Sequence, residues 1–302
     1  MKYFTTERFA QRPLPRLGVG AMSFSFEIAP LEPAMHVWHR AFDLGMTLIN
    51  TADCYAPSAE TFGYNEVQVG AAVSAYGRDK ITVITKNALR REGENWWRDN
   101  SYDYMLSAAE ASAERLGFAP DVICLHRRNR EQPIEAATEA LMEARERGLT
   151  KAIGMSNITA EEFKVVWEVS GGTLAFVENE RSPRYRDHTA VLELCTDHDV
   201  TYLAWSPLGG GQEAKRLAEF APVFAEVASR HTIDGSPATA HQVALAWLLT
   251  HSPVMLPIPA FSRVETAENS VKAVSLELTS EDLELLNSGD FETHSVYPDP
   301  GL

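Results

Sequence analysis

The sequence predicts an α/β fold, a (β/α)8 barrel of the TIM type, over its 302 residues. Short apolar or β-branched runs alternate with longer helical patterns along nearly the whole chain, as parallel βα units do. Eight such units fit a closed barrel better than an open doubly wound sheet. No linker or low-complexity segment divides the chain, so we expect one domain over residues 1–302, with its core at about 17–286 and a C-terminal tail at 287–302.

Each predicted strand is a brief apolar run, and the helices between them are predicted from N-cap residues, first-turn prolines and C-terminal glycines. The predicted strands are Leu17–Met22, Thr47–Ala52, Ile81–Thr85, Val122–Leu125, Ala152–Met155, Ala175–Val177, Thr201–Ala204 and Val254–Pro257. The clearest predicted helices run from Ser101 to Gly117, from Pro133 to Gly148, from Ser236 and Pro237 toward Pro253, and onward from Thr279.

Charge and cysteine content exclude several classes of function. Lys and Arg number 27 against 42 Asp and Glu, a net charge of -15, so no broad positive field would bind nucleic acid or an anionic membrane. There is no apolar signal-peptide core and no run of about 18 apolar residues, so neither export nor membrane insertion is expected. Cys54, Cys124 and Cys195 are too scattered for a disulfide framework, and a reducing cytoplasm is the expected location.

Other enzyme classes built on α/β folds lack their motifs in this sequence. Gly18-Val19-Gly20 has no third glycine and no prompt helix, so a Rossmann dinucleotide motif is not predicted. No His and carboxylate cluster follows the strands, so no metal site is expected; His36 and His39 stand at i, i+3 in a helix, as packing or solvated residues do. Neither a P-loop nor a G-x-S-x-G elbow is present.

Three polar side chains follow consecutive predicted strands, at the end of a TIM barrel where function collects. Tyr55 follows the second strand, Lys86 the third and His126 the fourth. A nearby ammonium lowers the pKa of a tyrosine that protonates a carbonyl oxygen, and a histidine orients that carbonyl by donating a hydrogen bond. Each residue alone has an ordinary structural explanation, but their occurrence together predicts a site for carbonyl chemistry.

Several sequence blocks with a fixed order extend this pattern from about Leu17 to Leu286. The blocks are Asn50-Thr51-Ala52-Asp53-Cys54-Tyr55 with Asn65-Glu66 and Gly70, Thr85-Lys86, Asp121 to Arg127, Gly148 with Ile153-Gly154-Met155-Ser156-Asn157, Ser206-Pro207-Leu208-Gly209, and Pro257-Ile258-Pro259 with Glu268-Asn269. Together they resemble the aldo-keto reductase superfamily. The resemblance implies a barrel that binds NADP extended across its rim, without a Rossmann domain, and reduces an aldehyde or ketone to an alcohol by hydride transfer.

The resemblance also implies roles for individual residues. Tyr55 matches the proton donor, Lys86 the lysine that tunes it, and His126 the histidine that orients the carbonyl. Ser156 and Asn157 match residues that hold the nicotinamide carboxamide. The other implied cofactor residues are Glu178 beside the carboxamide, Trp205 against the nicotinamide ring, Ser206, Pro207, Leu208 and Gly209 at the pyrophosphate, and Ser262, Arg263, Glu268 and Asn269 around the adenosine and its 2′-phosphate. Core packing is the alternative role for Trp205.

Two residues depart from the family pattern. The family normally has Asp where this chain has Asn50, and that Asp pairs with the lysine; Glu178 stands where Gln is common. We therefore expect Asn50 to hydrogen-bond to Lys86 and to leave its ammonium less compensated. Asp53 is an alternative source of a carboxylate, although a solvent-exposed loop position is expected for it. Asn50 also keeps open a second function, a cofactor-binding sensor or interaction subunit with weak or no catalysis.

The substrate pocket is predicted from aromatic and basic residues that follow the strands. These are Phe24 and Phe26 after the first strand, Trp96 and Trp97 after the third, and Arg127 after the fourth, with the tail from Phe291 to Tyr297 as a further wall. They predict an aromatic-lined cleft for a small carbonyl compound. The sequence identifies neither that substrate nor any protein partner.

Overall fold

The strands and helices alternate as the sequence predicts, in a computed structural model that describes residues 1–187, 189–288 and 295–297. The strands are β1 (Tyr3–Thr6), β2 (Phe9–Pro15), β3 (Val19–Gly20), β4 (Leu48–Asn50), β5 (Thr82–Asn87), β6 (Leu89–Glu92), β7 (Asn95–Arg98), β8 (Val122–Leu125), β9 (Ala152–Ser156), β10 (Leu174–Glu180), β11 (Thr201–Trp205), β12 (Thr232–Ile233), β13 (Ser236–Pro237) and β14 (Met255–Pro257). The helices are α1 (Leu31–Asp43), α2 (Tyr64–Tyr76), α3 (Tyr102–Leu116), α4 (Ile134–Glu146), α5 (Ala160–Val169), α6 (Thr189–Asp197), α7 (Gly211–Ala214), α8 (Leu217–Phe220), α9 (Pro222–Ala228), α10 (Ala240–Thr250), α11 (Val264–Val271) and α12 (Ser280–Ser288).

Eight parallel strands of the described residues close into a barrel, which confirms the predicted fold class. In hydrogen-bonding order they run β14, β11, β10, β9, β8, β5, β4 and β3. Closure lies between the first and last of these, where the N–H groups of Gly18 and Gly20 donate to the carbonyl oxygens of Pro257 and Pro259 at 3.0 and 2.9 Å. The sheet therefore has its two edges joined, as a barrel requires.

Apolar side chains fill the interior of the barrel. The N-terminal hairpin of β1 and β2, which the sequence analysis did not predict, adds Phe9 and Leu14 to this cluster. The ring of Phe9 packs edge-on against that of Phe176, with 5.2 Å between centroids. The remaining buried members are Leu48, Ile84, Val122, Cys124, Ala152, Ala175, Leu203, Leu256 and Ile258.

The surrounding helices each turn one apolar face toward the strands. In α1 the buried residues are Ala34, Val37, Trp38, Ala41 and Phe42, which recur at the spacing of a single helix face. These side chains join a core cluster with β3, β4 and β5. Within the described residues, no helix combines the length and apolar character needed to cross a bilayer.

Local signals in the sequence predicted several boundaries well. The strand predicted over Val122–Leu125 has those limits, and α3 has Ser101 as its N-cap and Gly117, at φ +77°, as its C-cap. The first strand is shorter than predicted, since it covers Val19–Gly20 alone.

The predicted start of the helix before Pro253 is wrong. Ser236 and Pro237 form strand β13, and α10 begins three residues later behind Thr239. The Thr239 side chain accepts a hydrogen bond from the backbone N–H of Gln242, and the Gln242 side chain accepts one in return from the N–H of Thr239. This capping box satisfies two helix N–H groups, whereas Ser236 satisfies none, and it therefore decides where the helix begins.

We expect Gly70→Ala to destabilise the protein by roughly 1–3 kcal/mol, the usual cost of overpacking. A methyl group at position 70 of α2 would lie 2.3 Å from the carbonyl oxygen of Leu116, a backbone atom that cannot rotate away. Denaturant unfolding measures the change. Gly211→Ala is the control, because its methyl group would meet nothing within 4 Å. Equal stability of the Gly70→Ala variant and the unmodified protein would contradict the prediction.

Candidate active site

The C-terminal ends of the barrel strands open into a cavity of about 910 Å³. Its volume lies at the upper end of the range of small-molecule sites, roughly 300–1,000 Å³. Residues that the sequence analysis assigned to catalysis, to cofactor binding and to the substrate pocket meet there. Those lining the cavity are Asn50, Tyr55, Trp96, Trp97, His126, Arg127, Ser156, Asn157, Glu178, Trp205, Ser206, Pro207 and Leu208.

Tyr55, Lys86 and His126 lie against one another, although they come from three different strand ends. The ammonium nitrogen of Lys86 is 5.0 Å from the centroid of the Tyr55 ring. The His126 ring packs edge-on against the same phenol, with 5.8 Å between centroids. Lys86 lies below the cavity wall, fully buried, and donates to the carbonyl oxygen of Thr51 at 2.8 Å. The arrangement gives one proton-bearing phenol with a cation beneath it and an imidazole beside it.

Burial is the largest influence on the pKa values of Tyr55 and His126. The charge of Lys86 lowers the pKa of Tyr55, but burial raises it more, to a net value of about 12. Burial, together with the charges of Lys86 and Arg127, holds the pKa of His126 well below its ordinary value. At neutral pH the phenol therefore retains its proton and the imidazole is neutral. Lys86 thus acts on the pKa of Tyr55 in the expected direction, and burial outweighs it.

Lys86 has a carboxylate partner that the sequence analysis did not assign to it. Its Nζ lies 3.2 Å from Oε1 of Glu178. The same Nζ donates to Oδ1 of Asn50 at 2.5 Å, and Nδ2 of Asn50 donates to Oε2 of Glu178 at 2.8 Å. Burial lowers the pKa of Lys86, but Glu178, Tyr55 and Cys124 together raise it more, so the net pKa lies above the ordinary value. The expectation of a less compensated ammonium is therefore wrong.

Asp53 lies in the interior and not in the exposed loop position expected for it. Its Oδ2 accepts a hydrogen bond from Nδ2 of Asn87 at 2.9 Å. Burial and the charge of Glu66 raise the pKa of this carboxyl well above its usual range. Asp53 thus belongs to a buried polar cluster behind the site. Nowhere in the described part of the chain do three His, Cys, Asp or Glu side chains group as metal ligands would.

A second network fixes the indole of Trp205 at the cavity wall. Its Nε1 donates to Oδ1 of Asn157 at 3.1 Å. Nδ2 of Asn157 donates in turn to Oγ of Ser156 at 2.9 Å and to the carbonyl oxygen of His126 at 3.0 Å. Asn157 adopts φ +59°, which asparagine tolerates better than most residues. The ring that the sequence analysis assigned to the nicotinamide is therefore tied directly to the residues assigned to its carboxamide.

A tight turn after β11 forms the next part of the wall. Ser206, Gly209 and Gly210 have φ values of +47°, +86° and +89°, and the N–H of Gly209 donates to the carbonyl oxygen of Ser206 at 2.8 Å. Gly209 shapes this turn without lining the cavity, whereas Gly210 and Gly211 do line it. Backbone close to a cavity, without bulky side chains, suits a phosphate group.

The residues assigned to the adenosine lie outside the cavity, beyond its margin at Ala260. Arg263 is exposed and is the N-cap residue of α11. Glu268 on the same helix pairs with Arg40 of α1 at 2.7 Å. The four residues concerned are Ser262, Arg263, Glu268 and Asn269. A ligand that contacts both the cavity and these residues must extend past Ala260.

Another part of the cavity rim is aromatic, and it is built on a hairpin that the sequence analysis did not predict. Strands β6 and β7 pair between β5 and α3 and carry Trp96 and Trp97 at the cavity. The guanidinium carbon of Arg91 lies 4.9 Å from the Trp96 ring centroid, and that of Arg90 lies 5.1 Å from the Trp97 ring centroid. These contacts hold two half-exposed indoles in fixed positions.

Phe24 does not line the cavity, which corrects the expectation made for it. Its ring packs edge-on against Trp38 at 5.5 Å between centroids, in the core cluster around α1. Phe26 lines the cavity instead and is 68% exposed. Both aromatics follow β3, and the short 3₁₀ turn at Met22–Phe24 decides which of them faces inward.

Part of the C-terminal tail also reaches the site. Oγ of Ser295 donates to Oε2 of Glu180 at 2.6 Å, and the N–H of Val296 donates to the other oxygen at 3.0 Å. Tyr297 lines the cavity, with its ring centroid 6.0 Å from that of Trp205. Phe291, the other end of the predicted wall, lies outside the described residues.

Several lining residues were missed because their types carry no chemical signal. Their common feature is position, since most follow the C-terminal end of a barrel strand. They are Gly20, Ala21, Met22, Ser23, Ser25, Cys54, Ala56, Leu89, Ala214, Ile258 and Pro259. Cys54 adjoins His126, with 3.5 Å between Sγ and Nδ1.

Comparison with known proteins gives the same family throughout. Residues 16–290 match the model of the aldo/keto reductase family. The chain is 30% identical over 285 residues to pyridoxine 4-dehydrogenase of Escherichia coli, which covers 90% of this chain and 93% of that protein. A thermostable aldo-keto reductase solved with the inhibitor epalrestat superposes with a TM-score of 0.79 at 26% identity, covering 95% of this chain and 99% of the other.

A third similar protein, an aldo-keto reductase from Klebsiella pneumoniae solved with NADPH, has a TM-score of 0.78 at 24% identity, with 95% of each chain covered. At that identity the likeness concerns the fold alone. The family match spans nearly the whole chain, and it includes the strand ends that bring Tyr55, Lys86 and His126 together. This protein is accordingly a member of the aldo/keto reductase family.

Proposed function

We propose that this protein is an NADP-dependent oxidoreductase that reduces an aldehyde or ketone to an alcohol. The observation that carries the proposal is the contact of a protonated phenol, Tyr55, with the buried cation of Lys86 and the neutral imidazole of His126 at the cavity wall. That combination is suited to delivering a proton to a carbonyl oxygen. We also propose that residues 1–302 form a single domain.

The cavity fits an extended nicotinamide dinucleotide in its chemistry. Ser156 and Asn157 offer polar atoms for a carboxamide, and the ring of Trp205 offers a flat face for the nicotinamide. The turn at 206–211 would hold the pyrophosphate through backbone N–H groups. Arg263, the exposed N-cap residue of α11, has a guanidinium that suits a 2′-phosphate. When bound, NADPH supplies the hydride.

Proton delivery is the step that this chain's own residues perform. Tyr55 donates its phenolic proton to the carbonyl oxygen while the carbonyl carbon receives the hydride, and the product is an alcohol. The resulting phenolate is stabilised by the ammonium of Lys86 beneath it. His126, neutral because burial holds its pKa low, orients the carbonyl oxygen by donating from Nε2. Solvent then returns the proton to Tyr55.

The substrate proposed for this site is a small carbonyl compound with an apolar or aromatic portion. Trp96, Trp97, Phe26 and Tyr297 are aromatic residues that line the cavity and follow its strand ends or belong to the tail. Aromatic side chains bury large flat areas and favour offset or edge-on ring contacts. Arg127 adds one charged group to this wall, with its guanidinium carbon 5.9 Å from the Trp205 ring centroid.

A cofactor-binding sensor with weak catalysis is the alternative function, which Asn50 kept open. The carboxylate of Glu178, 3.2 Å from Lys86, supports the enzymatic function over this alternative, because it supplies the charge that position 50 lacks. A reducing compartment remains part of the proposal, since Cys54, Cys124 and Cys195 are buried free thiols.

We expect Tyr55→Phe to lower the kcat/KM of carbonyl reduction about 100-fold or more, the usual contribution of a positioned general acid. The affinity for NADPH should remain, because the phenol ring stays in place; fluorescence titration measures it. Tyr202→Phe is the matched control, since Tyr202 is a fully buried tyrosine on β11 that packs outside the interior cluster. Undiminished turnover by Tyr55→Phe would reject the proposed proton donor.

The pH dependence of reduction should be flat from about pH 6 to pH 8 and fall only in alkaline solution. Tyr55 must be protonated to act, and its pKa is raised to about 12. His126 contributes no step in that range, because burial keeps its pKa well below 6.5. The profile of kcat/KM is measured with one neutral aldehyde. A step between about pH 6 and pH 7 that disappears in His126→Asn would contradict this assignment.

Arg263→Ala should weaken NADPH binding roughly 10- to 150-fold, as expected for a charge-assisted contact worth about 1.5–3 kcal/mol, and should change NADH binding far less. Both dissociation constants are measured by fluorescence titration. Lys272→Ala is the control, because Lys272 is a partly exposed cation at the C-cap of the same helix, 3.7 Å from Asp234. Equal effects of Arg263→Ala on the two cofactors would remove Arg263 from the phosphate site.

A further inference from the structure

The carboxylate that faces Lys86 comes from the far side of the barrel. Lys86 is on β5 and Glu178 is on β10, and β8 and β9 separate these two strands in the sheet. The two side chains meet inside the barrel, where only 1% of Lys86 and 3% of Glu178 is exposed. A buried ion pair of this kind persists only with good geometry and further hydrogen bonds. Asn50 and the Thr51 carbonyl provide those bonds.

Both polar atoms of the Asn50 side-chain amide bond to a charged group, one to Lys86 and one to Glu178. Its Oδ1 accepts from the ammonium of Lys86 and its Nδ2 donates to the carboxylate of Glu178. An ionised aspartate in its place would accept from the lysine but would set a second carboxylate 2.8 Å from the first. Position 50 therefore tolerates an amide because position 178 carries the charge.

We propose that Glu178 is the counter-ion of Lys86 and, through it, a positioning residue that sets the protonation of Tyr55. The inference rests on the proposed function only for the identity of the reaction. Asn50 is then a neutral bridge between the two charges. The charge of the carboxylate, and not its place in the chain, is what the lysine requires.

Other titratable groups face the same pair and must be included in the account. The thiols of Cys54 and Cys124 adjoin Tyr55 and Lys86, and burial raises the pKa of both. They are therefore neutral at the pH of assay. His126 is neutral as well, because burial lowers its pKa. The opposed effects of Lys86 and Glu178 on the pKa of Tyr55 are then the main electrostatic balance at the phenol.

The first test follows the pH profile of carbonyl reduction in four proteins. These are the unmodified chain, Glu178→Gln, Asn50→Asp, and the double variant that moves the carboxylate from position 178 to position 50. Glu178→Gln leaves the ammonium unopposed, so the loss of activity in alkali should move to lower pH by about one unit or more. Asn50→Asp should move it in the opposite direction, and the double variant should return it toward the unmodified profile.

The second test needs no turnover and no cofactor. Glu178→Gln leaves Lys86 buried without a carboxylate and should lower the midpoint of thermal unfolding by about 5 °C or more. The double variant should recover more than half of that loss, because a carboxylate again faces the ammonium. If the protein reduces no carbonyl in a broad panel but shows this loss and recovery of thermal stability, the proposed function fails while the ion-pair proposal stands.

Glu180→Gln is the matched control for both tests. Glu180 is a buried carboxylate two residues further along β10, and it binds Ser295 and Val296 of the tail instead of Lys86. Glu180→Gln should leave the pH profile of carbonyl reduction unchanged. Superimposable profiles of Glu178→Gln and the unmodified protein, or a double variant no closer to the unmodified protein than Glu178→Gln in unfolding, would overturn the proposal.

Discussion

The buried ammonium of Lys86 is the constraint on which the site depends. Removing such an ion from water costs several kcal/mol even after relaxation, so it must be surrounded by partners of the right charge and geometry. Here the partners come from three places, namely Asn50 on β4, the Thr51 carbonyl next to it and Glu178 on β10. One charge thus links the ends of β4, β5 and β10 through side-chain and carbonyl contacts. The phenol of Tyr55 lies directly over that charge.

Much of this site could be predicted from sequence, because it depends on strand order and strand ends. The carboxyl ends of parallel strands meet on one face, so Tyr55, Lys86 and His126 were expected together, and the structure brings them together. The contact between Lys86 and Glu178 was not accessible in this way. It crosses the barrel interior between strands that are not neighbours, and no local spacing records such a contact.

Other errors have local causes. Ser236-Pro237 has the form of a helix start, but the capping box of Thr239 and Gln242 satisfies more backbone N–H groups and so places the start later. Phe24 and Phe26 were indistinguishable as aromatics that follow β3. Only the 3₁₀ turn, which rotates the chain between them, directs one to the core and one to the cavity. The hairpin of β6 and β7 escaped notice because each strand is only four residues long and has no buried residue to give an apolar alternation.

The hydrogen bond between Asn50 and Glu178 joins residues 128 positions apart, so these two side chains cannot be chosen independently. With Asp at position 50 the site would hold two carboxylates around one ammonium, and with Gln at position 178 it would hold none. Grafting this site onto another barrel would therefore require positions 50 and 178 to be transferred as a unit.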